Sequence, residues 1–522
     1  MGRDLQERPS NIAAEGPVSN STLLRLVYTL ADSYLFTSPG RAKGEGEMMS
    51  YVFWDTETTG ISTSFDQILQ FAAVKTDAEF NELDRIELRC RLHPHVAPNP
   101  GALRVTGMSI EQITDPALPC HYDMVRQVRA RFLEWSPAIF IGYNSIKFDE
   151  ELFRKALFRT LHSPYLTNTS GNGRADAMNL VQAAAALQPG CLEVPTGDNG
   201  KSVFKLDRLA PANGFDYSNA HDAMADVLAT VHLARCVSER APEVFSRFVR
   251  FAMKSSVAAF LEEEDAVLLT EYYFSRPYHF VVAPFGSDPD NPAKVYCLDL
   301  KHDLDWVASL PPDQLAVWVN RSPKPVRSIR TNAPPALAAI DEVAEDIFGP
   351  LSPDLIAERA RRLRDDPDLC DRIMDAVMAS AVAYEDPAHV EEQLYSGGFV
   401  QPADQALIDR FHEVPWSDRP ALVDQMQDPR LRYHGLRLMY EHDVHLLSGG
   451  DRREVEDHMW DRLLMEECPK GKWASLVSAL AETEAMIEEG DLTAMEMLEG
   501  LRAHLLARIE DGRNYQLGAA GF

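Results

Sequence analysis

Apolar and polar positions along the first half of the chain follow strand-like and helix-like spacings in turn. Three short runs, rich in aromatic and β-branched residues or continuously apolar, predict β-strands: residues 51–54, 68–74 and 138–141. Two longer segments have the spacing of amphipathic helices: residues 150–161 and 223–236. This mixture predicts an α/β domain in which polar segments follow the ends of buried strands.

The pattern changes near residue 242 to β-rich pieces broken by proline, and from residue 393 onward it is helical. We therefore expect four parts: an extension (1–47), an α/β domain (48–240), a β-rich domain with a helical insertion at 352–384 (242–388), and a helical domain (393–522). The extension is expected to be disordered, with a short helix at Leu23–Phe36, or to reflect a gene start placed before Met48 or Met49. The pieces 511–512 and 518–522 predict a frayed end.

Two carboxylates stand at the end of the first predicted strand. Side chains alternate faces along a strand, so Asp55 and Glu57 are expected to point the same way. Carboxylates held close together raise each other's pKa unless a cation lies between them. Their hard oxygen atoms suit Mg²⁺ or Mn²⁺. The alternative is a solvated acidic turn.

Three further groups extend this acidic set. Asp149 lies near the start of a predicted helix, where it either faces the first pair or acts as an N-terminal helix group. His221 lies in the loop before the next helix, which has Asn219 or Asp222 as its cap and Asp226 inside it. Four acids and one histidine are the set needed for two divalent metals and a general base. We assign Asp55, Glu57, Asp149 and Asp226 to the metals and His221 to proton abstraction in phosphodiester hydrolysis.

Three motifs carry a family resemblance. Asp-x-Glu at 55–57, Asn-x-x-x-Phe-Asp at 144–149 and His-x-x-x-x-Asp at 221–226 resemble the DEDDh exonuclease superfamily. Further segments are similar to bacterial exonuclease I: residues 100–107, 142–151, 212–227, 281–284, 295–300 and 393–399. The resemblance runs from about residue 50 to the C-terminus, and it is stronger before about residue 240 than after it.

The resemblance implies a fold and an activity. The expected fold is an α/β ribonuclease H-like nuclease domain, a small β-barrel-like domain of the Src-homology type and an all-helical C-terminal domain. The implied activity is processive 3′→5′ degradation of single-stranded DNA to 5′-mononucleotides, with two Mg²⁺ ions or Mn²⁺ in their place, in DNA repair and recombination. It also implies a cytoplasmic bacterial monomer that binds the acidic C-terminal tail of single-strand DNA-binding protein.

The same resemblance implies substrate contacts. Glu57 is expected to approach the sugar of the terminal nucleotide as well as a metal. Lys205 stands where the family usually has arginine, so the charge is kept but the bidentate fork is lost. Arg154 and Tyr165 fall at positions that are expected to face the DNA strand. The alternative for Arg154 is an exposed charge on a helix, and the alternative for Tyr165 is an aromatic residue at the edge of the core.

The overall charge opposes nucleic-acid binding, since 522 residues carry a net −29. Metal ligands account for some of the acids, and a local basic stretch can line a groove. The best such stretch is residues 321–330, which includes Arg327, with a solvated loop as its alternative. Four aromatics nearby are either stacking groups or core: Tyr272, Tyr273, Phe274 and Tyr278.

Other features bear on the setting and the class of protein. No apolar run is long enough to span a membrane, and seven scattered cysteines without a Cys-x-x-Cys pair fit a reduced cytoplasm. Two other functions stay open: a DEDDh-type ribonuclease or proofreading-type nuclease, and a non-catalytic single-stranded DNA-binding scaffold. A scaffold is expected to have lost at least one of the five site residues, and all five are present.

Overall fold

The computed structural model describes residues 49–217, 222–380, 386–490 and 494–520. The expectations for residues 1–47, including the helix at Leu23–Phe36, lie outside these residues, as do those for Asn219 and His221. Met49–Phe522 form one compact unit. The domain boundaries expected within that unit stay predictions.

A five-stranded mixed sheet, called here the first sheet, organises the first part of the chain. Its strands are β1 (Tyr51–Thr58), β2 (Ile68–Thr76), β3 (Glu82–Arg89), β4 (Ile139–Gly142) and β5 (Gly173–Asp176). Their order is β3-β2-β1-β4-β5, with β1, β2 and β3 antiparallel and β1, β4 and β5 parallel. The three predicted strands and the ribonuclease H-like α/β arrangement are confirmed.

Helices cover both faces of the first sheet. The helices in this part of the chain are α1 (Pro100–Thr106), α2 (Ile110–Ile113), α3 (His121–Trp135), α4 (Asp149–Arg159), α5 (Ala177–Leu187), α6 (Leu206–Ala212), α7 (Ala223–Arg240), α8 (Pro242–Arg250) and α9 (Lys254–Glu263). Of these, α9 packs in a core with Val267 and Leu269 instead of on the first sheet. Val52 and Trp54 pack in one core with residues of α3 and α4, whereas Tyr51 and Phe53 pack in another with residues of α7. Because β1 alternates in this way, the odd-numbered side chains that follow also face α7.

The middle of the chain builds the second sheet, which is antiparallel and has the order β10-β6-β7-β8-β9. The strands are β6 (Val267–Tyr273), β7 (Arg276–Ser287), β8 (Lys294–Asp299), β9 (Val326–Arg330) and β10 (Leu337–Ala339). The helices are α10 (Leu304–Ser309), α11 (Pro312–Val319), α12 (Pro353–Arg364) and α13 (Pro367–Ala379). The predicted strands and the helical insertion at 352–384 are present, but the start of the predicted β-rich region is wrong, because residues 242–263 form α8 and α9 and the first strand begins at Val267. The Src-homology-type barrel stays a prediction.

The C-terminal part is helical, as predicted. Its helices are α14 (Pro402–Glu413), α15 (Arg419–Val423), α16 (Pro429–His442), α17 (Gly449–Leu463), α18 (Leu476–Glu489) and α19 (Met495–Ala520). Short 3-10 turns occupy Leu166–Asn168, Ile340–Glu342, Glu345–Phe348, Val390–Glu392, Trp416–Asp418 and Val444–Leu446. Leu501 and Leu505 of α19 share a core with Ile110 and Ile113 of α2. The C-terminal helices thus pack directly on the α/β part.

The expected frayed end is wrong, because α19 continues through residues 511–512 as far as Ala520. Gly512 lies so close to Trp460 that a Cβ there would be 2.6 Å from the indole. One turn later the Tyr515 hydroxyl donates a hydrogen bond of 2.8 Å to Asp457. Glycine disfavours helix by itself, and its use here for close packing is visible only in three dimensions. In the part of the chain that the structure describes, no helix combines the length and apolar character needed to cross a membrane.

Candidate active site

Three carboxylates meet where β1 ends. Asp55 and Glu57 are half-buried while Thr56 and Thr58 between and after them are buried, which is the alternation of a strand. Asp226 lies in the first turn of α7, on the side that Asp55 and Glu57 face. One carboxylate oxygen from each of these three acids lies within 4.8 Å of the other two. The predicted pairing of Asp55 with Glu57, and of both with Asp226, is therefore present.

Asp149 reaches the same strand end from α4. It is buried and is the first residue of that helix, whose N-cap is Phe148. Thr56 donates its hydroxyl to Asp149 Oδ1 at 2.5 Å. Because Thr56 points to the face of β1 opposite to Asp55, α4 and α7 bring their acids to the strand end from its two sides.

The four acids repel one another. Burial raises the pKa of Asp55 well above its usual range, and the charges of Asp149, Asp226 and Glu57 raise it further. Burial, followed by the charges of Asp226 and Asp149, raises the pKa of Glu57 to about 8. Burial also raises the pKa of Asp149 to about 7. A divalent cation relieves this repulsion, and carboxylate oxygens are ligands that Mg²⁺ and Mn²⁺ accept. The residues present therefore fit a metal centre.

Two neighbours hold Asp226 and its helix. The Tyr217 hydroxyl donates a hydrogen bond to Asp226 Oδ1, and burial together with Asp226 raises the Tyr217 pKa, so the phenol stays protonated. Asp222 caps α7 by accepting from the Ala225 amide at 3.3 Å. Asp222 is one of the two predicted caps, whereas Tyr217 was missed. Its signal in the sequence is only its place just before Ser218, within reach of the acid that follows.

The loop before Asp149 is fixed by Asp176. Its buried carboxylate accepts from the amides of Asn144 at 2.8 Å and Ile146 at 3.3 Å, and it caps α5 through Met178. Asn144 has a φ of 57°, in the left-handed region that asparagine tolerates better than most residues. The asparagine of the second motif therefore shapes the turn that delivers Asp149.

Arg154 and Tyr165 lie together beside this turn. Arg154 is buried, donates to Glu150 Oε1 at 3.1 Å and places its guanidinium 5.5 Å from the centre of the Tyr165 ring. Arg154 is thus not the exposed helix charge that was its alternative. Glu150 follows Asp149 directly and also accepts from Arg174 at 3.1 Å. Contact of Arg154 and Tyr165 with substrate stays a prediction.

Lys205 is exposed at the N-cap position of α6. The preceding Phe204 accepts at its carbonyl a 2.5 Å hydrogen bond from the Tyr143 hydroxyl. Its ring meets Tyr272 of β6 edge-on, with 5.4 Å between centroids. This contact brings the β6–β7 hairpin next to Lys205, whose role toward substrate stays a prediction.

Arg327 lies on β9, so the basic stretch contains a strand rather than only a solvated loop. Its side chain is 12% exposed, pairs with Glu271 at 3.2 Å and lies 3.6 Å from the centre of the Phe280 ring. Its guanidinium is thus already engaged within the second sheet. A contact with substrate stays a prediction, and so does the role of His221, which lies outside the described residues.

Two family models match the chain. The model described as Exonuclease matches residues 52–234, the stretch that carries all four acids. The model described as Exonuclease I C-terminal domain matches residues 388–507. The chain is therefore a nuclease of the exonuclease class, an enzyme that hydrolyses phosphodiester bonds.

Relatives and solved structures narrow this class. Exodeoxyribonuclease I of Escherichia coli (strain K12) is 28% identical over 403 residues, which are 74% of this chain and 84% of that protein. Exonuclease I of Methylocaldum szegediense has a TM-score of 0.75 and 26% identity, covering 88% of this chain and 100% of that one. E. coli Exonuclease I in complex with a dA16 oligonucleotide has the same fold, with a TM-score of 0.75 and 24% identity. The match covers 88% of this chain and 100% of that one. The chain is thus similar to exonuclease I over most of its length and has the same fold.

Proposed function

We propose that this protein is a processive 3′→5′ exodeoxyribonuclease that degrades single-stranded DNA to 5′-mononucleotides in DNA repair and recombination. The observation that carries the proposal is the group of acids at the end of β1, in which three carboxylates lie within 4.8 Å of one another. Single-stranded DNA as substrate is supported by the E. coli structure of the same fold, which holds a dA16 oligonucleotide.

Asp55, Glu57, Asp149 and Asp226 would hold two Mg²⁺ ions, or Mn²⁺ in their place. Bound there, the metals lower the pKa of a water molecule and stabilise the leaving 3′-oxygen. The raised pKa values of Glu57 and Asp149 support this assignment, because such carboxyls are fully ionised near neutral pH only with a counter-charge beside them.

The remaining steps belong to side chains of this chain. His221 takes the proton from the attacking water, which a histidine of ordinary pKa can do near neutral pH. Tyr217 keeps the Asp226 carboxylate oriented through its hydroxyl. Glu57 approaches the terminal sugar, and Lys205, Arg154 and Tyr165 contact the nucleotides at the 3′ end.

In this proposal the single-stranded DNA continues from the active site along the second sheet. The tip of the β6–β7 hairpin exposes Tyr273, Phe274 and Tyr278 by 43%, 81% and 41%. Exposed aromatic rings are what a sequence-tolerant single-strand binder needs for base stacking. The assembled carboxylates speak against a non-catalytic scaffold, and no contact between described residues favours a ribonuclease.

Digestion of a single strand labelled at its 5′ end, with Mg²⁺ and with matched duplex DNA and RNA alongside, tests the proposal. We expect loss of full-length single-stranded DNA with few intermediates, a block by a 3′-phosphate, and inactivity after chelation. Asp226→Asn should abolish cleavage, whereas Glu239→Gln, an exposed acid at the other end of the same helix, should not. Equal or better cleavage of RNA would reject the DNA substrate.

We also propose that the chain is a monomer that binds the acidic tail of single-strand DNA-binding protein. A pocket of suitable chemistry lies between α5, α8 and the segment before β10, with Leu180, Phe248 and Pro335 in its lining. Arg247 lines the pocket and, among the described residues, forms an ion pair with a single acid, Glu342, at 3.7 Å. A labelled tail peptide should bind at low salt and lose affinity in Arg247→Ala but not in Arg361→Ala, an exposed arginine elsewhere. Absence of binding at low salt would remove this partner.

A further inference from the structure

A polar cavity of about 40 Å³ lies between α4 of the nuclease part and α16 and α17 of the C-terminal part. We call it the arginine–histidine cavity, after five of the residues that line it: Arg159, Arg437, Arg462, His121 and His434. None of the four acids of the candidate active site belongs to its lining. It is therefore a separate feature of the molecule.

Arg159 has an incomplete set of partners in this cavity. Its Nη1 donates to the backbone carbonyl of Asp66 at 3.0 Å. Its Nε and Nη2 are buried and have no acceptor among the described residues. Among the described residues, no carboxylate lies within ion-pair distance of its guanidinium. Burial lowers the Arg159 pKa to about 10, aided by the charges of Arg437 and Arg462 and opposed by those of Glu391 and Asp66. The group therefore remains charged at neutral pH, and it has no direct ion pair among the described residues.

The three acids that line the cavity already have hydrogen-bond partners. The Asp66 carboxylate accepts from the Thr59 hydroxyl at 2.9 Å and from the Ser62 amide at 2.7 Å. Glu391 accepts from Arg437 at 2.5 Å and from Arg462 at 2.7 Å. Glu441 lies 3.0 Å from His93 Nδ1 and accepts from the His121 amide at 3.3 Å. Two arginines thus pair directly with Glu391, whereas Arg159 interacts with that carboxylate only at longer range. A buried charge without a direct ion pair is unfavourable in an interior of low dielectric.

Two buried histidines add hydrogen-bonding groups. His121 and His434 are each 2% exposed, and within the part of the chain that the structure describes the buried Nε2 atom of each has no partner. Burial lowers both pKa values, that of His434 to about 3, so both rings are neutral. A neutral imidazole can donate from either nitrogen, depending on its tautomer. Both side chains can therefore offer an N–H to a bound acceptor beside Arg159.

We propose that the arginine–histidine cavity binds one small tetrahedral oxyanion of the inorganic phosphate class, held by the free N–H groups of Arg159 and by His121 and His434. A water molecule needs about 10–15 Å³ of such space. The cavity thus has room for about three waters or one small oxyanion, and a nucleotide is too large for it. Phosphate complements the planar guanidinium in shape and charge.

The position of the cavity gives the anion a structural role. Helix α4 begins with Asp149 and ends with Arg159, while Arg437 and Arg462 lie on α16 and α17. An anion on Arg159 joins the helix that delivers a metal ligand to the helices that pack behind it. Since the anion binds only the folded protein, it raises stability by mass action.

Equilibrium dialysis of the metal-free full-length chain in EDTA against radiolabelled inorganic phosphate, at ionic strength fixed with KCl, tests this site. We expect about one phosphate per chain, lost in Arg159→Met and retained in Arg361→Met, which removes an exposed charge instead. Arg159→Lys keeps the charge but loses the fork, and should bind phosphate more weakly without a change in fold. Retention of the phosphate in Arg159→Met, or its displacement by a short single-stranded oligonucleotide, would overturn the proposal.

Thermal unfolding supplies a second readout. The Tm of the wild type and of Arg361→Met should rise with the logarithm of phosphate concentration, whereas that of Arg159→Met should not. Without phosphate, the Tm of Arg159→Met should match or exceed that of the wild type, because a methionine replaces a buried charge that has no direct ion pair among the described residues. A lower Tm of Arg159→Met at every phosphate concentration would mean that Arg159 is only a structural contact, and would contradict the proposal.

Discussion

The side chains that make the candidate active site also weaken the fold when no metal is bound. Asp55 shows this most clearly, since burial and three neighbouring acids all disfavour its ionised form. The hydrogen bonds from Thr56 to Asp149 and from Tyr217 to Asp226 offset part of that cost. Removal of one charge should therefore change stability and activity in opposite directions.

We expect Asp55→Asn to raise the Tm of the metal-free protein and to abolish hydrolysis. The Tm should rise because the substitution removes a carboxyl whose ionised form burial and the neighbouring acids disfavour. Thermal melts in EDTA and across an Mg²⁺ titration measure it, with Glu239→Gln as the control for charge alone. A lower Tm in EDTA, or an unchanged Tm rise with Mg²⁺, would contradict the assignment.

The stability of the metal-free protein should also fall as pH rises, because Glu57 has a raised pKa in the folded state. The pKa of Glu57 is raised to about 8 in the folded protein, so the folded state holds a proton that the unfolded state loses near pH 4.5. Stability from this group is complete below the unfolded pKa and falls as pH rises from about 4.5 to about 8. Urea unfolding in EDTA should show Glu57→Gln gaining on the wild type across that window. A constant difference would reject the raised pKa.

A substitution of His221 can distinguish the effect of proton transfer from that of metal binding. We expect His221→Ala to lower kcat by about 10²- to 10⁴-fold, the usual contribution of a general base. The rise in Tm with Mg²⁺ should stay, because the carboxylates are intact. Loss of both would make His221 a metal ligand or a structural residue instead.

At the scale of elements, the spacing of apolar residues predicted the strands and helices whose formation depends on interactions within one segment. The run at 51–54 and the alternation through Glu57 define β1, and the apolar spacing from residue 223 defines α7, although that helix extends to Arg240. The cores on the two faces of β1 explain why these segments have the spacing they have.

Contacts between segments that are far apart in the sequence could not be predicted from the spacing of apolar residues. Thr56 lies 93 positions before the Asp149 that it contacts, and Phe204 meets Tyr272 on another sheet. The final turns of α19 depend on the fit of Gly512 against Trp460. Nothing in the spacing of these residues indicates that they meet, because packing between elements decides it.

The β6–β7 hairpin yields a prediction at this scale. Phe274 is 81% exposed at its tip, so Phe274→Ala should leave stability unchanged and weaken binding of single-stranded DNA. Base stacking contributes about 1–3 kcal/mol per base, or roughly 5- to 150-fold in affinity. Fluorescence anisotropy in EDTA, where the strand is not cut, measures it. Val317→Ala, another exposed apolar site at 73%, is the control, and equal affinities would remove Phe274 from the path.

At the scale of the whole molecule, the C-terminal helices complete the nuclease part. Leu69 of β2 and Ile110 of α2 belong to the same core as Leu501 and Leu505 of α19. A core shared in this way makes separate unfolding costly, because either part alone would expose apolar surface. The arginine–histidine cavity lies between the same two parts.

Adjacent leucines on α19 test this unity. Leu505 is fully buried and Leu506 is 46% exposed, so Leu505→Ala should cost about 2–5 kcal/mol and Leu506→Ala less than about 0.5 kcal/mol. Urea unfolding followed by helical circular dichroism and by residual nuclease activity should shift both signals together in Leu505→Ala. If the dichroism shifted while activity kept its wild-type midpoint, the C-terminal helices would be an independent unit. A common shift would mean that the carboxylates at the end of β1 keep their geometry only while α19 is docked.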